Sequence, residues 1–363
     1  MNRPAQELLL EVFSPQPADR VVLLESGAGW LASAVAHRVP QGQVLALNRD
    51  VRLAWQAQEA LQNRPNITVS LTALPAQDGF DHVLLTIPKE RRYARSLLVA
   101  AWQALKPGGQ LLLAGPGGSG AKAVITDAGR LFGQVTTLAY RARQRVAAAR
   151  RGPQLPQPLP EAFCQPGVAP GSRHNLQLDL PQGKLVCETH PGIFSWQELD
   201  EGSALLLQHL QIETGARVWD VGCGYGVLGL AAARAGAGQV WLSDINLIAV
   251  DYTQRNARQN GLTDKVMIFP ADALEIRSTG DRQPEAFDLI LSNPAFHQGR
   301  EVDRSMADDL IRQAGARLAP DGRLLLVANR FLNYERTMGQ HFQHVTRVAE
   351  TGKFHLLSAS NPT

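Results

Sequence analysis

The sequence predicts an α/β chain made of two tandem Rossmann-like domains, the N-terminal one a degenerate copy of the other. Three observations carry this. Strand-like apolar runs alternate with helical patterns in both halves, which implies a mostly parallel sheet covered by helices on both faces. A stretch from Arg151 to Arg173 holds six prolines; proline fixes φ and removes a donor, so this stretch is neither a helix interior nor a central strand. Two pairs of similar segments also recur in the same order on either side of it. With 363 residues, 44% of them apolar, two domains that each bury a core are expected. The boundaries read as 1–150, a Pro-rich linker over 151–175, and 176–363.

The elements follow in order. In the first half, Arg20-Val-Val-Leu-Leu runs into Glu25-Ser-Gly27-Ala-Gly29, an apolar strand meeting a Gly-rich turn. Ala104-Leu-Lys-Pro107-Gly108-Gly109 then links a helix end to the strand Gln110–Leu113. After the linker, Leu176–Leu180 and Leu185–Glu188 alternate around Pro181-Gln-Gly183, the pattern of a hairpin. Leu199, Ala204, Leu205, Leu206 and Leu210 mark a helix. Ala216-Arg-Val-Trp-Asp220-Val-Gly222-Cys-Gly224-Tyr-Gly226 repeats the strand and Gly-rich turn. Arg317-Leu-Ala-Pro320-Asp-Gly322 repeats the later connection.

The chemistry concentrates in the second half. Gly222, Gly224 and Gly226 allow a sharp turn and a close ligand approach. Dehydrogenases share a GxGxG run, but two details favour a methyl-donor cofactor. Asp220 ends the preceding strand, where it can hold an ammonium group, and no phosphate-binding GxGxxG spacing follows. The next strand, Gln239–Asp244, ends in an acid placed for ribose hydroxyls, with Ile245 beside it. A third, from Val266, runs to Asp272 and Ala273, where a carboxylate can accept from an adenine amine. Singly, each acid reads more readily as a solvated loop residue or a helix cap. Three at successive strand ends mark a site, because open α/β sheets bind ligands outside their carboxyl ends.

The fourth strand, Phe287–Ser292, leads into Asn293-Pro294-Ala295-Phe296. Here the sequence resembles the amino-methyltransferases that carry an N-P-P-Y/F motif, which methylate exocyclic nitrogens of bases and a glutamine amide in a protein. The resemblance implies S-adenosylmethionine as cofactor. Such a planar nitrogen needs acceptors for its N–H donors, and the Asn293 side-chain oxygen and Pro294 carbonyl supply them. Phe296 can stack on a base. The catalytic candidates are thus Asn293, Pro294 and Phe296. The cofactor candidates are Asp220, Gly222, Gly224, Asp244, Ile245, Asp272, Ala273 and Asn293. Ala295 departs from the family's second proline, which loosens φ but removes no acceptor.

Pro191-Gly-Ile-Phe194-Ser195, Leu199-Asp200-Glu-Gly202-Ser203, Asn293 through Gly299, Leu326-Val-Ala-Asn329-Arg-Phe-Leu-Asn333-Tyr334 and Thr351-Gly-Lys-Phe354 are similar to the ribosomal RNA guanine-N2 methyltransferases of the RsmC/RlmG type. That resemblance implies a catalytic domain joined to a degenerate copy, and a guanine of ribosomal RNA, most naturally of the small subunit, as target. His297 has no evident catalytic task, and a structural hydrogen bond is expected for it.

The N-terminal copy departs from the cofactor pattern. Trp30 stands where the second half has Tyr225-Gly226, Asn48 and Arg49 follow the second strand, and Ile87-Pro88-Lys89 has no Asn before its Pro. It carries two basic runs, Lys89 to Arg95 and Arg141 to Arg151, with tyrosines among them, and RNA docking is the reading favoured for it. A net charge of +3 permits a polyanionic partner without demanding one. Cys164, Cys187 and Cys223 form no CxxC pair, which argues against disulfides and a zinc site. No leader-like or membrane-spanning run is read, so a cytoplasmic protein, monomeric by default, is expected. Two other readings compete: a protein glutamine N5-methyltransferase, which shares the Asn-Pro motif, and a non-catalytic RNA-binding or ribosome-assembly factor.

Overall fold

A computed structural model describes residues 3–275, 286–294 and 305–363. The chain divides into two compact units. One comprises Met1–Arg173 with His190–Gly192, the other His174–Thr189 with Ile193–Thr363.

The first unit holds strands β1 (Arg20–Leu24), β2 (Gln43–Leu47), β3 (Ile67–Val69), β4 (Phe80–Thr86), β5 (Leu105–Pro116), β6 (Val135–Arg141) and β7 (Gln144–Arg150). The second holds a hairpin, β8 (His174–Leu180) and β9 (Gly183–Thr189), and strands β10 (Arg217–Val221), β11 (Gln239–Asp244), β12 (Val266–Pro270), β13 (Phe287–Ser292), β14 (Leu318–Asn329), β15 (Phe342–Glu350) and β16 (Phe354–Pro362). Helices α1 (Arg3–Val12), α2 (Trp30–Ala36), α3 (Val51–Leu61), α4 (Arg91–Ala104) and α5 (Ala121–Phe132) belong to the first unit. Helices α6 (Glu201–His209), α7 (Val227–Arg234), α8 (Leu247–Gln259), α9 (Ser305–Gly315) and α10 (Tyr334–Met338) belong to the second.

The two sheets have one topology. Their strand orders are β3-β2-β1-β4-β5-β7-β6 and β12-β11-β10-β13-β14-β16-β15. The first five strands of each are parallel, and β7 and β16 run antiparallel to both of their neighbours. Even small contacts repeat. Arg20 N donates to Asp81 Oδ2 and Arg217 N to Asp288 Oδ2, each at 2.8 Å. The duplication read from two segment pairs therefore extends to the whole sheet.

The Pro-rich stretch differs from its reading as a linker. Through Arg173 it belongs to the first unit, where Phe163 and Val168 are buried. Proline excludes regular structure there, but the apolar residues between the prolines still fasten the segment down.

Strand alternation positions the site in the second unit. Trp219 and Asp220 point to opposite faces of β10. On one face Trp219, Trp241, Phe269 and Phe287 form an aromatic core, with the Trp219 and Phe287 rings 4.9 Å apart. On the other, Asp220 meets the start of α7.

Candidate active site

The carboxyl ends of β12, β11, β10 and β13 lie side by side, and they bring Asp272, Asp244, Asp220 and Asn293 to one rim. This is the edge at which an open parallel sheet binds its ligand.

The glycine loop after β10 is built by its neighbours. Gly222 N and Cys223 N donate to Ser243 O at 2.8 and 3.0 Å. Gly226 caps α7 with φ +90°, and a Cβ there would lie 2.8 Å from Thr253 Cγ2, so only glycine fits. Helix α8 braces the loop from below. Thr253 Oγ1 donates to Gly224 O at 2.9 Å, and the buried Asn256 amide donates to Tyr225 O at 2.8 Å and Glu188 O at 3.0 Å.

Asp220 is wholly buried. Its Oδ2 accepts from Gly229 N at 2.8 Å, but its Oδ1 has no hydrogen-bond partner among the described residues. Burial, with the nearby Asp244 charge adding to it, pushes this carboxyl up to about 7. An orphaned buried acceptor is costly unless a donor reaches it. Gly222 lies two residues on at φ +74°, and a Cβ there would meet nothing within 4 Å. An acceptor without a donor, beside a glycine facing open space, fits the amino-acid end of S-adenosylmethionine.

Asp244 Oδ2 accepts from Gly224 N at 2.9 Å and Oδ1 from Asn246 N at 2.8 Å. Ile245 is half-buried beside it. Asp272 and Ala273 follow β12 in a tight turn, with Ala273 at φ +49° and Glu275 N donating to Asp272 O at 2.9 Å. Asn293 and Pro294 stand directly beyond β13. Ala295, Phe296 and His297 lie outside the described residues.

Burial holds the Cys223 thiol protonated and pushes Cys187 up to about 12, so neither is a thiolate nucleophile. Among the described residues no group of three or more His, Cys, Asp or Glu is placed to hold a metal ion, and no helix is long and apolar enough to cross a membrane.

The same positions in the first unit are altered, and the register differs from that read in the sequence. Gly29 caps α2 at φ +101° as Gly226 caps α7, so Trp30 matches Val227, and Ala28 replaces Tyr225. Leu23 then stands where Asp220 does, and Glu25 takes the place of Gly222, keeping its positive φ, +56°. The Glu25 side chain is buried and accepts from Tyr93 Oη at 2.6 Å, while the Arg49 guanidinium lies 4.5 Å over the Tyr93 ring. Burial raises the Glu25 carboxyl above its usual value, and Arg49 and Tyr93 reverse only part of that. Asn48 replaces Asp244 and accepts from Gly27 N at 2.6 Å. Thr86 replaces Asn293. The space that is open beside Gly222 is filled here by this chain's own side chains. Calorimetry with S-adenosylmethionine is therefore expected to return one site per chain, and two sites would contradict this account.

The basic runs are corrected as well. Asp127 is fully buried and binds Arg91 Nε at 2.9 Å, Arg95 Nε at 2.8 Å and Arg130 Nη1 at 3.3 Å. Burial alone would raise its carboxyl, but the guanidinium hydrogen bonds hold it below the usual value. Arg91 and Arg95 thus serve the fold. Arg141 pairs with Glu11. Arg150 and Arg151 bond the backbone of Gly108 and Leu105, at the opposite end of β7 from Arg143. A seven-residue strand separates its ends by about 20 Å, so the second run is not one patch.

The sequence does not reveal the braces Thr253 and Asn256, and it marks Asp200 and Ser203 only as part of the family resemblance, without their contact with Asn293. Asn293 Nδ2 donates to Asp200 Oδ2 at 2.7 Å and to Ser203 Oγ at 2.9 Å. The Asp200-x-x-Ser203 spacing is legible as a helix start, but nothing in it points 93 residues ahead.

Strand order, glycine loop and Asn-Pro tip define a Rossmann-like methyltransferase. The chain belongs to the methyltransferase small domain family, which matches residues 4–148 and again 184–358. It is 32% identical to the ribosomal RNA small subunit methyltransferase C of Shewanella pealeana, over 84% of this chain and 86% of that protein. It is 34% identical to the protein of that name from Pseudomonas aeruginosa, over 76% and 78%. Among solved structures it is similar to the T. thermophilus 16S rRNA N2 G1207 methyltransferase (RsmC) in complex with AdoMet and guanosine. The TM-score there is 0.79 with 29% identity, covering 99% of this chain and 92% of that one. The family match to both units agrees with the duplication.

Proposed function

We propose that the second unit transfers a methyl group from S-adenosylmethionine to the exocyclic N2 amine of a guanine in small-subunit ribosomal RNA. The observation that carries this is the arrangement at the rim. Asn293 keeps its Oδ1 free of any hydrogen bond among the described residues, just beyond β13, the strand next to β10, which carries Asp220 with its Oδ1 unpartnered among the same residues. Asp220 would hold the cofactor's ammonium group and Asp244 its ribose, with Gly222 letting it approach the backbone. When bound, the cofactor supplies an electrophilic methyl group on a sulfonium. Asn293 Oδ1 and the Pro294 carbonyl accept the target's N–H donors, orient the nitrogen and favour the positive charge that develops on it. Phe296, by its place in the motif, is assigned to stack on the base. The relatives support the substrate, since one of them holds both cofactor and guanosine.

The test is to supply tritiated S-adenosylmethionine with small-subunit ribosomal RNA and, separately, with total protein. Label in a guanine at N2 is expected. Label in a protein glutamine, or none, overturns the reading.

We further infer that the first unit docks RNA, through a smaller set of cations than the basic runs suggest. Exposed Lys89 and Arg92 follow β4, and Arg143 lies in the β6–β7 turn. Ile87 pairs with Ala114 near the end of β5, and Pro116 pairs with Gln144. These cations therefore share the carboxyl edge of the first sheet. Replacing Lys89, Arg92 and Arg143 together by Ala is expected to flatten the salt dependence of RNA binding by about 2–3 in log–log slope. Thermal stability should hardly move, because exposed charges contribute little to folding. An unchanged slope would return these cations to a solvated surface.

A further inference from the structure

Among the described residues, Asn293 is held by its amide nitrogen alone. An amide carries two N–H donors, and both are used: one reaches Asp200 Oδ2 at 2.7 Å, the other Ser203 Oγ at 2.9 Å. Asp200 is itself fixed. It caps α6, and Oδ2 also accepts from Ser203 N at 3.0 Å. Gly202 completes the contact. A Cβ there would lie 2.8 Å from Val327 Cγ1, 3.0 Å from Asp200 Oδ2 and 3.2 Å from Asn293 Oδ1. Only glycine lets α6 come this close to the tip of β13.

We propose that Asp200 and Ser203 are positioning residues that lock the Asn293 amide with its oxygen toward the target nitrogen; the inference rests on the reading of Asn293 as the acceptor for that nitrogen. The physical reason is that an ionised carboxylate only accepts. Turning the amide over would set Oδ1 against Asp200 Oδ2, two acceptors at hydrogen-bond distance. The oxygen is thereby committed to one side before substrate arrives. The charge-assisted bond at the nitrogen also polarises the amide and makes its oxygen a stronger acceptor. An asparagine without this carboxylate would spend part of its time presenting N–H groups to an amine that needs acceptors.

Capping and locking are separable. Asn and Ser cap helices about as well as Asp, so Asp200→Asn and Asp200→Ser retain the helix start but not the acceptor-only partner. In the full chain, both are expected to lower kcat about 10- to 100-fold, with S-adenosylmethionine Kd within twofold and Tm little changed. Asp200→Asn placed on Asn293→Ala should cost nothing further, because Asp200 acts through Asn293. Additive losses would assign Asp200 a separate role and overturn the lock. A second readout needs no substrate. The Asn293 side-chain NH2, assigned by NMR, should exchange slowly with solvent in the wild type and quickly in Asp200→Asn. Fast exchange in the wild type overturns the lock even if methylation is found. Slow exchange in a chain that methylates no guanine would sink the functional reading and leave the lock standing.

Discussion

Replacing Asn293 by Ala is expected to lower methyl transfer by about 100- to 1000-fold, the usual cost of deleting one preorganised group aimed at developing charge. The substitution removes the acceptor at the tip of β13 and leaves untouched Asp220, Gly222 and Asp244, to which the proposed function gives the cofactor. Cofactor affinity should therefore stay within a few-fold. Stability should fall by about 1 kcal/mol, because two hydrogen bonds to the amide nitrogen are lost while Asp200 keeps its bond from Ser203 N. Single-turnover rates at saturating cofactor, alongside direct binding, separate the two effects. A loss of cofactor affinity as severe as that of the Asp220 variant would show that Asn293 had been given the wrong role.

The Asp220→Asn variant should show the opposite division. It keeps the shape and an acceptor for Gly229 N but removes the charge that would meet an ammonium group. Truncating one partner of a buried charged pair costs about 2–5 kcal/mol, so cofactor Kd should rise at least about 30-fold. The pH dependence is distinctive. With this carboxyl at about 7 in the free protein, the ionised form that binds a cation is depleted below neutrality. Wild-type affinity should fall about tenfold per pH unit as pH drops below 7, with proton uptake by Asp220 opposing binding. Stability runs the other way. A carboxyl raised above its unfolded value contributes stability that is fully present below about pH 4 and is lost as pH rises through about 7. The Asn variant should lose both dependences. Calorimetry across pH 5.5–8.5 in buffers of different ionisation enthalpy reads the linked proton. A wild-type affinity that is flat over that range would mean that Asp220 does not face the cofactor's charge.

The basic runs show how far a charge count reaches. Lys89 to Arg95 reads as one patch in the sequence, yet Arg91 and Arg95 converge on the buried Asp127 from one face of α4. A helix sorts neighbouring residues onto different faces, so a run of like charge rarely shares one fate. Arg143 and Arg151 are likewise parted by the length of β7. The cations carried into the docking proposal are Lys89 ahead of α4, Arg92 in its first turn and Arg143 between β6 and β7.

The degenerate copy was legible as degenerate, but its register was not. Counting from the glycines set Trp30 against Tyr225-Gly226. The left-handed caps Gly29 and Gly226 show instead that Glu25 replaces Gly222 and Leu23 replaces Asp220. A one-letter pattern cannot show which residue holds the positive φ. That conformation is what aligns the two loops.

The sequence by itself determined the two-copy α/β plan, the glycine loop, and the order of Asp220, Asp244, Asp272 and Asn293. These are local facts, set by apolar periodicity and by which residues tolerate a sharp turn at a strand end. Tertiary structure alone decided what surrounds them. Burial makes Asp220 an acceptor waiting for a donor. Side chains of α8 hold the loop's carbonyls, and Asp200, 93 residues before Asn293 in the chain, turns that amide to face one way. Each depends on which groups share a dry interior across long sequence separation. There a lone carboxylate or an unfixed amide is costly, and no spacing along the chain encodes the partner that meets it.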